Sequence, residues 1–160
     1  RSSRSMFIID RRKRFHFFVI VEDNARPFNR LIKRLGIEEN VKILGGSGDI
    51  PAFLLAGAFL LHPAHDENAG MVLLEAMVAG LPVLATKVCG YGHYVESAEM
   101  GRLIPEPYEQ ACLDQTLLSM LVKNHRERWI QNGQNFAETS DIYSLPQRAV
   151  SVIEQVMDRH

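Results

Sequence analysis

Continuous apolar runs alternate with amphipathic stretches along the chain. Residues 15–21 (FHFFVIV) are apolar, β-branched and aromatic without a polar face, which predicts a strand covered on both sides. In the next stretch Phe28, Leu31, Ile32 and Leu35 recur at helical spacing and Gly36 supplies a stop, so residues 25–36 read as a helix. Residues 40–44 (NVKIL) form the second predicted strand. After it Asp49 offers an N-cap, with Pro51 inside the first turn, for a short helix through Leu55. Residues 58–62 (AFLLH) read as a third strand. Residues 71–79 (MVLLEAMVA) are so apolar that the helix they predict should disappear into a core, except that Glu75 stands inside it. Gly80-Leu81-Pro82 breaks the chain, 82–86 (PVLAT) gives a fourth strand and 101–105 (GRLIP) a short fifth. Helical pattern then fills 110–122 and 124–137, and Leu145-Pro146 opens a last helix.

Strands alternating with helices of this length imply βαβ units. The predicted fold is therefore α/β, a Rossmann-like parallel sheet flanked by helices. At 160 residues the chain suits one domain with a real core. A net charge of −1 gives no support for a nucleic-acid partner, which would call for a basic excess. The two cysteines, Cys89 and Cys112, are too few and too far apart for a disulfide framework and read as free thiols of a reducing cytosol. No apolar stretch approaches the roughly 20 residues of a membrane-spanning helix. Residues 1–14 hold five arginines and one lysine and do not look like the rest. They are expected to be a solvated basic segment, with residues 15–160 as the Rossmann-like nucleotide-sugar-binding domain.

Ligands of such sheets bind at the carboxyl ends of the strands, in the loops that open the following helices. That selects residues 22–25, 45–49 and 63–70. The 45–49 loop (GGSGD) completes neither a dinucleotide fingerprint, because Pro51 stands where the third glycine belongs, nor a Walker loop. Its glycines would still let main chain lie against a flat ring. The turn Glu67-Asn68-Ala69-Gly70 is more informative. A helix starting near Gly70 presents free N–H groups and the positive end of its dipole, which suits a diphosphate. Glu75 lies about 7.5 Å further along the axis, and Glu67 precedes the first turn. Ionised carboxylates accept hydrogen bonds from vicinal hydroxyls. A nucleotide sugar, with a diphosphate between a ribose diol and a hexose, would employ both acids: Glu75 on the ribose and Glu67 on the hexose.

Glu67, seven residues, then Glu75 resembles the E-x(7)-E signature of retaining glycosyltransferases with the GT-B fold, family 4. The blocks HPAHDENAGMVLLEAMVAGLPVLATKVCGYGHYV, GRLIPEP and YSLPQRA are similar to the bacterial lipopolysaccharide core glucosyltransferases that use UDP-glucose and act on an inner-core heptose. The resemblance covers nearly all of the chain after about residue 20. It implies one half of a GT-B fold, the donor-binding half, with a second Rossmann domain and a lipopolysaccharide-core acceptor as partners of the full enzyme. It also implies a cytoplasmic protein, peripheral to the inner membrane at full length. Glu67 would be the catalytic residue facing the transferred sugar, Glu75 the ribose ligand, and the backbone of Ala69, Gly70 and Met71, beside Asn68, the phosphate cradle. Gly45 and its neighbours would line the uracil pocket. No cofactor is implied beyond the UDP-sugar substrate.

The sequence departs from that pattern at Val21, where the family usually has Gly, at Ser47, where it usually has Arg, and at Phe59, where Asp is common. The first strand–helix unit, with its basic pair for the diphosphate, has no counterpart in residues 1–14. A degenerate, non-catalytic nucleotide-sugar-binding or interaction module is therefore the alternative, and a sugar-nucleotide epimerase half a weaker one. Six histidines, among them His62, His65 and His93, fit no zinc spacing, and there is no D-x-D, so no metal is expected. His93 reads as a loop residue turned toward the cleft.

Overall fold

The computed structural model describes residues 5–11, 14–20, 24–45, 50–122 and 125–142. In chain order the elements are β1 (Ser5–Arg11), β2 (Arg14–Ile20), α1 (Arg26–Leu35), β3 (Val41–Leu44), α2 (Ile50–Ala56), β4 (Phe59–His62), α3 (Met71–Val78), β5 (Val83–Thr86), α4 (Gly92–Ser97), β6 (Gly101–Ile104), α5 (Gln110–Val122) and α6 (Arg126–Thr139). The six strands form one sheet in the order β3-β2-β1-β4-β5-β6, the arrangement of a doubly wound α/β fold. β2 runs parallel to β3, and β4, β5 and β6 run parallel to one another.

β1 corrects one expectation. Residues 5–11 are a strand at the centre of the sheet, not a solvated segment outside it. β1 is antiparallel to both neighbours, pairing Ser5 with Ile20 and Arg11 with Arg14 on one side and Met6 with Leu61 on the other. The four apolar residues of Met6-Phe7-Ile8-Ile9 supply a strand-forming run that the surrounding arginines obscure. A hairpin from β1 to β2 thus stands where a βαβ crossover would otherwise begin the fold. The sheet is mixed, with two parallel halves on either side of one reversed strand.

The core divides along the strand pleat. Leu60, Val83 and Ala85 point into a cluster with Leu73, Met77, Val95 and Met100, under α3 and α4. Phe59, Leu61 and Leu84 point the other way, to Ile104, Leu113, Met120 and Trp129 under α5 and α6, as a two-residue side-chain period requires. Phe59 lies edge-on to Trp129 with ring centroids 6.4 Å apart, so it serves apolar packing. α1 ends as the sequence predicts: Gly36, at φ +65°, donates its N–H to Lys33, and Ile37 donates to Ile32. α4 was not anticipated. Its glycines and aromatic residues read as loop, and contact with β5 and β6 overrides that weak local preference. Val21, Ser47, the N-cap at Asp49 and the helix expected after Leu145 lie outside the described residues.

Candidate functional site

β4 is the central parallel strand, and it ends in His62, whose side chain has no exposed surface. The chain then crosses the carboxyl edge of the sheet through residues 63–70 and enters α3. This loop is held from beneath. The Thr86 hydroxyl, at the end of β5, donates to the Ala64 carbonyl at 2.5 Å. The Tyr91 N–H donates to the Ala69 carbonyl at 2.9 Å. Gly90 lies against the Asn68 carbonyl so closely that a Cβ there would overlap it. Gly70 takes φ +73°, and a Cβ on it would touch Cys89, so the entry to α3 needs a residue that tolerates left-handed backbone beside a wall. The residues 88–95 that resemble the transferase subfamily therefore act as the brace of the Glu67 loop.

Glu67 points down into this brace. Its Oε2 is 3.6 Å from His62 Nε2, and its side chain is 17% exposed. That separation is longer than a hydrogen bond but close enough for an electrostatic contact. Burial pulls the His62 pKa below its ordinary value, and the carboxylate of Glu67 opposes that pull. Burial also pushes the Cys89 thiol up, Thr86 acting against this and the Glu67 charge adding to it. Burial thus favours the neutral forms of His62 and Cys89.

Glu75 is placed quite differently. The helix does not vanish into the core: Leu73, Leu74, Ala76 and Met77 are buried, whereas Met71, Glu75 and Val78 form an exposed stripe. The acid in the apolar run belongs to this outer face. It looks onto a groove of about 420 Å³ between α2 and α3, walled by Ile50, Pro51, Leu54 and Leu55 on one side and by Met71 and Val78 on the other. Leu55 is 75% exposed and Met71 55%. A carboxylate at the rim of an apolar slot suits a ligand with a flat apolar face and a diol.

Between the two acids, no side chain caps the N-terminus of α3, where Gly70 is the N-cap. Asn68 is exposed, Ala69 half-buried and Gly70 buried. The structure thus gathers Glu67, Asn68, Ala69, Gly70 and Met71 around one helix start, with Glu75 one turn further on. Gly45 is exposed at the end of β3, with open space where its Cβ would be, and leads toward α2, the far wall of the groove. Gly46 to Gly48 lie outside the described residues. His93 is not a loop residue. It sits in the first turn of α4, its Nδ1 2.8 Å from the Gly90 carbonyl and its ring 4.1 Å from that of Tyr94. Among the described residues no cluster of three or more His, Cys, Asp or Glu side chains could hold a metal ion.

Sequence reasoning missed Thr86, Gly90 and Tyr91 as supports of the loop, and His62 as the neighbour of Glu67. Their effect depends on a fold-back across the sheet, which no local spacing reports. The groove had a partial signal. Met71, Glu75 and Val78 stand at i, i+4 and i+7, so they share one helical face, but only the fold shows that this face is the outward one.

Residues 8–136 match the glycosyl transferases group 1 family. The chain belongs to that family. It is 43% identical over 142 residues to the lipopolysaccharide glucosyltransferase WaaG of Escherichia coli K12, a match that covers 88% of this chain and 38% of that protein. The crystal structure of WaaG superimposes with a TM-score of 0.79 at 44% identity, over 85% of this chain and 37% of WaaG. Anabaena Alr3699/HepE, solved in complex with UDP-glucose, superimposes with a TM-score of 0.68 at 27% identity, over 82% of this chain and 36% of that one. This group 1 chain therefore spans under two-fifths of the length of these relatives. Its α/β architecture, with a Rossmann-like sheet between helices, is that of GT-B glycosyltransferases. No helix among the described residues is long and apolar enough to cross a membrane.

Proposed function

We propose that this chain is the donor-binding domain of a retaining glucosyltransferase that takes UDP-glucose and adds glucose to the lipopolysaccharide core. The observation that carries this reading is the different placement of the two acids on either side of one helix start. Glu75 stands over an apolar slot of about 420 Å³, which suits a nucleoside, and Glu67 lies mostly buried in the braced loop that precedes the uncapped start of α3. A diphosphate bridging them would meet helix N–H groups and the positive dipole end. The identity to a lipopolysaccharide glucosyltransferase and the likeness to a protein solved with UDP-glucose support the choice of sugar nucleotide.

In the intact enzyme the bond between glucose C1 and the UDP oxygen breaks as an acceptor hydroxyl attacks from the same face. The acceptor's proton passes to the departing diphosphate oxygen, which takes the electron pair of the broken C1–O bond. This chain's part is to hold the diphosphate where negative charge develops and to fix the hexose by Glu67, a positioning and electrostatic role. The acceptor site and the other wall of the cleft fall to the partner Rossmann domain of a full-length, cytoplasmic-side enzyme. The reading is metal-independent, since the sequence carries no D-x-D.

Titration of the chain with UDP, GDP and ADP, followed by amide NMR or calorimetry, tests this. UDP is expected to bind at millimolar to high-micromolar strength, about −4 to −6 kcal/mol, and to shift resonances of 45, 50–55 and 68–75. GDP and ADP shifting the same resonances equally well would defeat the uridine assignment.

A further inference from the structure

Of the ion pairs among the described residues, Lys87–Glu96 and Arg128–Glu99 join side chains more than half exposed, where such pairs contribute little. The third, His62–Glu67, differs in kind. His62 is fully buried and ends a strand whose other residues, Phe59, Leu60 and Leu61, are apolar and buried. An imidazole in that setting is costly unless its polar atoms are engaged. Its Nε2 faces Oε2 of Glu67 at 3.6 Å. The Thr86 bond to Ala64, the Tyr91 bond to Ala69 and the approach of Gly90 to Asn68 fix the loop backbone on either side of Glu67. They leave the carboxylate itself to be oriented from below.

We propose that His62 is a positioning residue for the hexose end of the site: it holds one oxygen of Glu67 from within the core, so that the other oxygen is presented to the sugar hydroxyls. This rests on the donor reading above and adds a residue that never touches the ligand. A carboxylate offers about four acceptor positions, so an imidazole N–H can occupy one beneath while sugar hydroxyls occupy others above. With one oxygen tethered, the side chain keeps less rotational freedom to lose when the hexose arrives. His62 would act only on ligands that carry the hexose. UDP lacks it, and its affinity would not depend on His62.

The test is the affinity of the whole chain for UDP and for UDP-glucose in wild type, H62Q and H62L, with a melting curve of each. Gln keeps an N–H near the position of Nε2, whereas Leu fills similar space without one. H62L should weaken UDP-glucose roughly threefold, less than a full hydrogen bond to a charged group would give because the contact is 3.6 Å long, and leave UDP unchanged; H62Q should recover most of the loss. A second readout needs no altered histidine: the His62 ring resonances of the wild type should move on adding UDP-glucose and stay still with UDP. Equal weakening of both ligands, an unchanged ratio in H62L, failure of H62Q to rescue, or ring shifts that are the same with both ligands would each overturn the role of His62. A wild-type chain that binds UDP in none of these titrations would overturn the donor reading, and this inference with it.

Discussion

The two halves of the sheet are built to different standards. β4 and β5 are buried at every residue, and α3 buries four of its eight residues against them. On the other side β3 is half-exposed, α1 buries no residue, and Leu31 and Leu35 are 41% and 58% exposed. The loops inherit the difference. Residues 63–70 leave the dense half and are braced by β5 and the turn before α4, while Gly45 leaves the sparse half into open space. A donor lying across both would have its sugar end held by the core and its base end held by a more adaptable wall.

Core truncation should separate the halves most sharply. Leu73→Ala, at a position with no exposed surface, is expected to cost about 2–5 kcal/mol of stability, and Leu31→Ala under about 1 kcal/mol. Chemical denaturation of both variants checks this, and similar losses would erase the contrast. Next in size is a pair of glycines. Gly90→Ala drives a Cβ into the Asn68 carbonyl, so it should cost about 1–3 kcal/mol and displace the Glu67 loop. Gly45→Ala meets nothing within 4 Å and should stay within about 0.5 kcal/mol. Thr86→Val removes the hydroxyl that satisfies Ala64, with an expected loss of about 1 kcal/mol.

The smallest effect is a dependence on pH. The His62 pKa is lowered in the fold from an ordinary 6.5, so the unfolded chain binds the proton more readily. This contribution to stability is complete above about pH 6.5 and is lost as the pH falls below it. Melting curves of wild type and H62Q between pH 7.5 and pH 5 should therefore converge or cross on the acid side. Parallel curves would contradict a neutral buried His62.

Much of this contrast could be read from the sequence, for a physical reason. FLLH and VLAT are apolar on both faces up to their last residues, His62 and Thr86, and only a strand covered on both faces needs such a run. The position of α3 was equally plain, but its orientation was not. A run as apolar as MVLLEAMV hides which face is outward, and Glu75 could be assigned to the surface only once α2 and the sheet were in place. β1 stayed illegible because the arginines around its short apolar run outweigh the local signal, and because the partner that sets it at the centre of the sheet lies far off in sequence, where Met6 meets Leu61. The acids at 67 and 75 were visible as a spacing. What braces one and exposes the other depends on residues 86–91 folding back beneath the loop, a contact no periodicity encodes.

The two ends of the site are compared most directly by measuring E67Q and E75Q against UDP and UDP-glucose, with a melting curve of each variant. A glutamine keeps the shape and turns one acceptor into a donor. E75Q should lose tenfold or more in affinity for both ligands, about 1.5–3 kcal/mol for a hydrogen bond to a charged group, because both carry the ribose, and its melting temperature should hold since Glu75 is exposed. E67Q should bind UDP nearly as the wild type does and lose affinity only for UDP-glucose. If E67Q weakens UDP as much as E75Q does, or if both variants melt early with binding unchanged, the division of the donor between a braced sugar end and an open nucleoside end is wrong.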